Sequence, residues 1–415
     1  MAGEEAALAP FRVLDLSDEN GQMCGKILAE LGADVIKVEP PGGDRVRSVG
    51  PFYHDEPHSD KSLLWFALNR SKRGITLNLE TTDGREIFRR LVRTADFVIE
   101  TFAPGHLDSL GLGYEALSEL NPRLILTSIT PFGQSGPYKN YKASDIVSMA
   151  MGGLMSLCGD EDRPPLRFSI PQSMYHAGSQ AAAGTMIAHY FREMTGEGQQ
   201  VDVSIQECLT LATYHSQQFW NMHRIVRKRH ATGWDQGPPI GFVEFQFPCR
   251  EGHIAGSAGG PSSPPLLKWL ADEGLDEEIG DSLKKRDWTK LDSRYFEPED
   301  RRQLDNAVKR LAISRSADEL YEGALQRRVF WFKVNTPKGI VESPQLAARE
   351  YFVSLEHPEL GDSITYPGVP VRLSETSWQI GDRAPLIGEH NFAVLHEELR
   401  ISEQDLTVLK AHGVI

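Results

Sequence analysis

The strongest constraint on this chain is an alternation of short apolar runs with amphipathic segments across roughly its first third. Phe11–Leu16 reads as a strand. Gly21–Leu31 reads as a helix stopped by Gly32-Ala33, and Val35–Glu39 as the next strand. Ile75–Leu79, Phe97–Thr101 and Leu124–Ile129 repeat the strand pattern, while Gly84–Thr94 and Tyr114–Leu120 repeat the helical one. Short strands separated by helices pair in parallel through right-handed crossovers, and a parallel sheet has to be covered on both faces. The expected fold class is therefore α/β. Ligands of such sheets sit at the carboxyl ends of the strands.

Downstream, Tyr175–Met194 is a long helical stretch rich in Ala, Gly and Ser. Small side chains admit a second backbone at close range, so burial of this helix is expected. Thr195–Gln199 is a glycine turn, Val201–Ile205 alternates as a strand, and a helix follows to about Phe219. The middle of the chain differs. A Gly/Pro-rich loop at 231–241 precedes a strand-like 252–258, then charged helical segments at 277–290 and 316–328. These features suggest a large domain beginning with residues 1–222, a smaller inserted domain at 223–330, and a linker with a return to the large domain at 331–415. The return ends in a helix near Glu389–Leu399.

Composition narrows the partners. Lys and Arg total 44 against 58 Asp and Glu, a net charge of −14. Nucleic acid needs a basic surface, so it is not an expected partner. No window approaches the ~18–20 apolar residues of a membrane helix. The acidic, alanine-rich Met1–Pro10 lacks the basic and apolar regions of a secretion signal, so a soluble cytoplasmic protein is expected. Cys24, Cys158, Cys208 and Cys249 have neither metal-knuckle nor CxxC spacing; reduced thiols and no metal follow.

The first strand-to-helix turn, Ser17-Asp18-Glu19-Asn20-Gly21, is not a GxGxxG fingerprint. A helix start here offers N–H groups to an anion, although Asp18 or Asn20 can equally be a cap. Pro40-Pro41-Gly42-Gly43-Asp44 forms a stiff turn after the second strand. Asn69–Arg73 is either a phosphate-meeting or a solvated loop.

Taken together, five blocks resemble the class III CoA-transferase (CaiB/BaiF) family. They are residues 14–44 (LDL…LAELGADVIKVEPPGGD), 62–79 (SLLWFALNRSKRGITLNL), 95–138 (opening ADFVIETFAPG), 195–207 (TGEGQQVDVSIQE) and 384–391 (APLIGEHN). The resemblance implies a Rossmann-like large domain built from both chain ends, a small middle domain, and two chains threaded as interlocked rings. It implies a coenzyme A thioester as substrate or ligand and no permanently bound cofactor. Carried over by motif, Asp18 and Glu19 flank the pantetheine, and Pro40 and Leu77 lie near the adenine. Thr101 and Phe102 touch the nucleotide, and Lys142 neutralises phosphate. Three positions depart from the family pattern: Thr101 where Asn is frequent, Ser109 where an Arg binds phosphate, and Glu80 where some members place Lys. Arg45, Arg47 or Arg73 are candidates to replace the missing contacts.

The family's chemistry requires an Asp that attacks the acyl-CoA, forms a mixed anhydride and becomes an aspartyl-CoA thioester. In the family this Asp lies four residues before a Gly, itself seventeen before the Thr of the TGxGQ turn. Here the Gly is Gly178, the Thr is Thr195, and the Asp position holds Met174. No Asp or Glu lies between Asp162 and Glu193, so a small slip of register restores no carboxylate. A thioether can only pack. Ser173 and His176, three apart, would give an acyl-ester unsuited to exchange between carboxylates; packing or capping suits them better.

The resemblance therefore implies a non-catalytic subunit paired with a homologous chain that carries the Asp. A catalytic homodimer acting through another residue and a non-enzymatic acyl-CoA-binding protein remain alternatives. Loop 231–241 is expected to close over the site. Its Trp234 and the following Phe242 point to an apolar acyl group unless they are core residues.

Overall fold

Six strands form one wholly parallel sheet: β1 (Arg12–Asp15), β2 (Asp34–Glu39), β3 (Arg73–Thr76), β4 (Phe97–Glu100), β5 (Ile125–Thr130) and β6 (Gln200–Ser204). Their order is β3-β2-β1-β4-β5-β6, the doubly wound arrangement expected of a Rossmann-like domain. The computed structural model describes residues 6–235, 242–256, 262–277, 279–288 and 296–415.

The connecting helices are α1 (Gln22–Glu30), α2 (Leu63–Asn69), α3 (Thr82–Val92), the single turn α4 (His106–Ser109), α5 (Tyr114–Leu120), α6 (Asp145–Met151), α7 (Ser173–Thr195) and α8 (Ile205–Leu211). Leu14, Ile36, Ile75, Val98 and Leu126 of the strands pack against Phe88 and Leu91 of α3 and Leu117 of α5. Val394, Leu395, Val414 and Ile415 join the same core. The chain end is pinned there by Asn78 N–H donating to Val414 O at 2.7 Å and by Asn391, which pairs with Thr76. Both ends of the sequence thus build the large unit.

That unit comprises Met1–Leu154, Phe168–Ala212 and Gln345–Ile415; the second comprises Met155–Arg167 and Thr213–Pro344. The second unit is therefore wider than the 223–330 read from the sequence. It contains α9 (Tyr214–His223), a β7–β8 hairpin (Gly233–Asp235, Phe242–Glu244) and an antiparallel sheet of β9 (Gln246–Pro248), β10 (His253–Gly256) and β11 (Trp331–Lys333). Phe247, Trp269, Leu304, Leu311, Leu320 and Trp331 form its core. Of the helical stretch expected at 277–290, only Asp281–Lys284 is helical among the described residues. The long helix of this region is Pro298–Ser314. Residues 236–241 of the loop expected to close over the site lie outside the described residues, as do the side chains of Trp234 and Phe242.

Helix α7 is buried on one side only. Met174, Ala177, Gly178, Ala181, Ala182, Thr185 and Ala188 make an inward stripe at helical spacing, while Ile187, Tyr190, Phe191 and Met194 face outward. The inward stripe is small because α1 lies almost in contact with it. A Cβ on Gly178 would stand 2.6 Å from Met23 Cβ and 3.2 Å from Cys24 N. Gly178→Ala is expected to lower stability by about 1–3 kcal/mol through overpacking, despite a helix-propensity gain of ~1 kcal/mol. A lower urea midpoint is the readout; an unchanged or higher one would show that α1 and α7 separate freely.

Candidate functional site

The carboxyl ends of β1 and β4 are adjacent in the sheet, but their following connections leave in different directions, which opens a crevice above them. The floor of that crevice is charged and buried. Asp15, the last residue of β1, is wholly buried, and Lys72 Nζ approaches it to 2.8 Å. The same ammonium donates to Gln22 O and to Asn69 Oδ1, each at 2.9 Å. Burial pushes the Lys72 amine down, whereas on Asp15 the opposing effect of burial is outweighed by Lys72 and Lys37, which hold its carboxyl low. Three acceptors surround Lys72 Nζ, and only a protonated amine has three donors, so the geometry favours the ion pair.

Beside it, Lys37 pairs with Asp44 at 3.1 Å and donates to Ser17 O. Gln22 links Asp44 to Asn69. Glu39, ending β2, takes both Arg47 Nε (2.6 Å) and Arg47 Nη2 (2.8 Å), and Arg47 continues to Asp60 and Pro385 O. A Cβ at Gly25 would lie 2.2 Å from Asp15 Oδ2, so only glycine at that place in α1 leaves room for the buried carboxylate.

On this floor the loops converge. Asp18 N–H donates to Thr101 Oγ1 at 2.8 Å, tying the loop after β1 to the loop after β4. Asp18 Oδ1 accepts from Asn20 N–H at 2.9 Å, so Asp18 shapes its own turn rather than capping α1. The N–H groups of Gly21 and Gln22 are spent on Asp18 O, leaving fewer free donors at this helix start than the sequence suggested. Burial, and then the neighbouring Glu19, push the Asp18 carboxyl upward.

Asp18, Pro40, Leu77, Thr101 and Phe102 together line a cavity of about 360 Å³, with Leu16, Val38, Asn78, Glu80, Arg45 and His106 also on its wall. Of the residues nominated from sequence, two are elsewhere. Glu19 is ion-paired to Arg45 at the margin, and Lys142 is exposed in the loop preceding α6 and does not line the cavity. Two suggested substitutes are also engaged away from it: Arg47 is the buried strut described above, and Arg73 binds Asp34 and Glu398 at the opposite end of its strand. A larger hollow of about 560 Å³ is lined by Arg73, Glu356 and Arg383 and opens near the amino end of β3, away from the strand ends that bind ligands in such folds.

Helix α7 starts at the position where chemistry is expected. Met174 is 4% exposed there; Ser173, the first residue of the helix, is not its cap but donates its hydroxyl to Asp145, and no bond joins it to His176 among the described residues. What sequence spacing could not find is Asp145, brought in from the start of α6. Its Oδ1 accepts from Gln172 N–H (2.8 Å), Ser173 N–H (2.9 Å) and Ser173 Oγ–H (2.7 Å). Its other oxygen is buried without a partner. A carboxylate thus stands one residue from Met174 after all, at a separation of 27–28 residues in sequence. Among the described residues no cluster of metal-ligating side chains occurs, and none of the four cysteines forms a disulfide.

The model of CoA-transferase family III matches residues 8–391. The chain belongs to that family. This family III chain is 38% identical to the succinyl-CoA:(R)-benzylsuccinate CoA-transferase subunit BbsE of Thauera aromatica over 93% of each protein. It is 34% identical to formyl-CoA:oxalate CoA-transferase of Streptomyces avermitilis over 99% of each. A CaiB/BaiF family protein from Brucella suis superposes with a TM-score of 0.78 at 28% identity, covering 95% of this chain and 99% of the other. No helix among the described residues of this family III chain is long and apolar enough to cross a membrane.

Glu100, ending β4 under the Thr101–Phe102 loop, has its carboxyl pushed up to about 7 by burial, against bonds from Ser128 and from Phe102 N–H (2.7 Å). In the unfolded chain a Glu titrates near 4.3. Between these values the folded protein keeps a proton that the unfolded one has released, so stability falls as pH rises through that window. Glu100→Gln removes this slope while keeping an acceptor for Phe102. Its stability relative to wild type is expected to rise by on the order of 2–4 kcal/mol between pH 4 and pH 8. Denaturant titrations at the two pH values check it; parallel shifts in both proteins would refute the assignment.

Proposed function

We propose that this chain is the non-catalytic subunit of a class III CoA-transferase, binding a CoA thioester and pairing with a homologous chain that supplies the Asp nucleophile. The observation that carries the reading is Met174, buried at the start of α7 where the transfer chemistry needs a carboxylate. Support comes from the family match and from a relative that is itself named as a subunit. In the active partner, the carboxylate attacks the thioester carbonyl, the C–S bond breaks and CoA leaves as thiolate. The thiolate then attacks the aspartyl carbonyl and expels the acyl group as its carboxylate. The acceptor acid reverses these steps. A thioether cannot take the first step.

The pairing has a physical motive. The outward face of α7 exposes Ile187 (71%), Tyr190 (67%) and Met194 (63%), with Leu211 of α8 also exposed, and a large apolar surface of this kind calls for a cover. An interlocked homologous subunit fits that need. The cavity built by Asp18, Pro40, Leu77, Thr101 and Phe102 would take the nucleotide and pantetheine portions of CoA. The expected location is the cytoplasm, where acyl-CoA substrates occur.

A second reading, a catalytic homodimer, gains one specific observation: the unpartnered Oδ2 of Asp145, whose other oxygen binds Ser173, the residue before Met174. Three hydrogen bonds on Oδ1 commit this carboxylate to holding the start of α7, which favours the first reading.

Exchange of labelled CoA from succinyl-CoA separates them. The purified chain is expected to be inactive and to gain activity on co-expression with an Asp-bearing paralogue. Met174→Asp is expected to give the chain measurable exchange by itself. Robust turnover by wild type alone would sink the first reading, and its loss by 100-fold or more in Asp145→Asn would establish the second. CoA binding with no activity under any pairing would leave a binding protein.

A further inference from the structure

We infer that Arg45 is the residue that recognises the phosphates of the bound nucleotide, and that Glu19 occupies it as an internal counter-ion until the ligand arrives. The inference rests on the CoA-binding reading and adds to it a residue outside the family-derived set of contacts.

Among the described residues lining the cavity, Arg45 and His106 alone can carry positive charge. The other nearby cations are already committed. Lys37 serves Asp44, Lys72 serves Asp15 and Arg47 serves Glu39, all within the buried floor. Lys142 does not line the cavity. Ser109, standing where the family has a phosphate-binding Arg, turns its hydroxyl to His106 O at 2.7 Å, and Glu80, at a family Lys position, lies 3.6 Å from His106 Nε2. A polyanionic ligand entering between these acidic groups needs a cation with free donors.

Arg45 meets that need. Its side chain is 76% exposed, on the first turn after the Asp44 cap, and its partner is Glu19 Oε1 through Nη2. The pair uses one oxygen; Glu19 Oε2 is buried and unpartnered. A one-point exposed ion pair holds weakly, whereas a phosphate can take the guanidinium fork through two parallel hydrogen bonds. Phosphate therefore displaces Glu19, and the freed carboxylate, beside the partly buried Asp18, becomes a cost of binding. Removing the arginine should weaken the ligand, and removing the glutamate charge should tighten it.

Calorimetric titration of the full-length chain with CoA, dephospho-CoA and pantetheine tests this. Arg45→Gln is expected to weaken CoA binding about tenfold or more, Arg45→Lys to recover part of the loss, and Glu19→Gln to bind several-fold more tightly. Pantetheine, which has no phosphate, is expected to be indifferent to all three. An equal loss with dephospho-CoA assigns Arg45 to the diphosphate; a loss confined to CoA assigns it to the 3′-phosphate. Wild-type affinity in Arg45→Gln, or an equal loss for pantetheine, overturns the proposal while leaving the CoA reading intact. Unchanged or weaker binding in Glu19→Gln overturns the counter-ion role. Failure of wild type to bind CoA overturns the CoA reading and this proposal together.

Discussion

The large unit depends on the ion pair between Asp15 and Lys72, both fully buried at the carboxyl edge of the sheet. Two charges leave water there, and only complete hydrogen bonding offsets the desolvation. The structure supplies it. Lys72 has three acceptors, Asp15 also receives Ser17 N–H and Oγ–H, and the neighbouring Lys37 closes onto Asp44. The network joins the end of β1, the start of α1, the end of α2 and the turn after β2. It therefore sets the positions of the loops that carry Asp18, Pro40 and Arg45. Such networks are intolerant of single losses, because each removed partner leaves an uncompensated buried group.

This floor also explains the mixed character of the cavity. Most of the positive charge near the loops is consumed beneath them, so the wall of the cavity is apolar and acidic, with Arg45 and His106 as its cationic elements among the described residues. The cations that hold the fold are already paired with Asp44, Asp15 and Glu39. Arg45 is left exposed, paired with Glu19 alone among the described residues.

The start of α7 follows a different logic. Asp145 gathers the helix's first N–H groups, a job that its carboxylate does well and that stabilises the helix start. Next to Ser173 in the chain, Met174 is packed into the interior. The start of this helix is thus held by a residue from the start of α6, and the side chain that follows Ser173 serves packing.

The strands of the first third, the parallel fold and the family were legible from the sequence by itself. Local apolar periodicity encodes strands and helices, and Tyr114–Leu120 appears as a helix with the same bounds in sequence and structure. The absence of a carboxylate at position 174 was likewise a matter of counting. Other features needed the tertiary structure. Lys72, Arg73 and Arg47 all looked like surface cations, and only packing revealed two buried struts and a strand-edge ion pair, because burial is decided by residues distant in sequence. Half of α7 stayed exposed because its small residues match α1 on one side alone. Asp145 reached Ser173 across a loop whose length hides the contact from any local pattern. The sequence determined which elements form, since that information lies within neighbouring residues; only the assembled fold decided which charges are buried and which face the cavity, since that depends on partners brought together from separate segments.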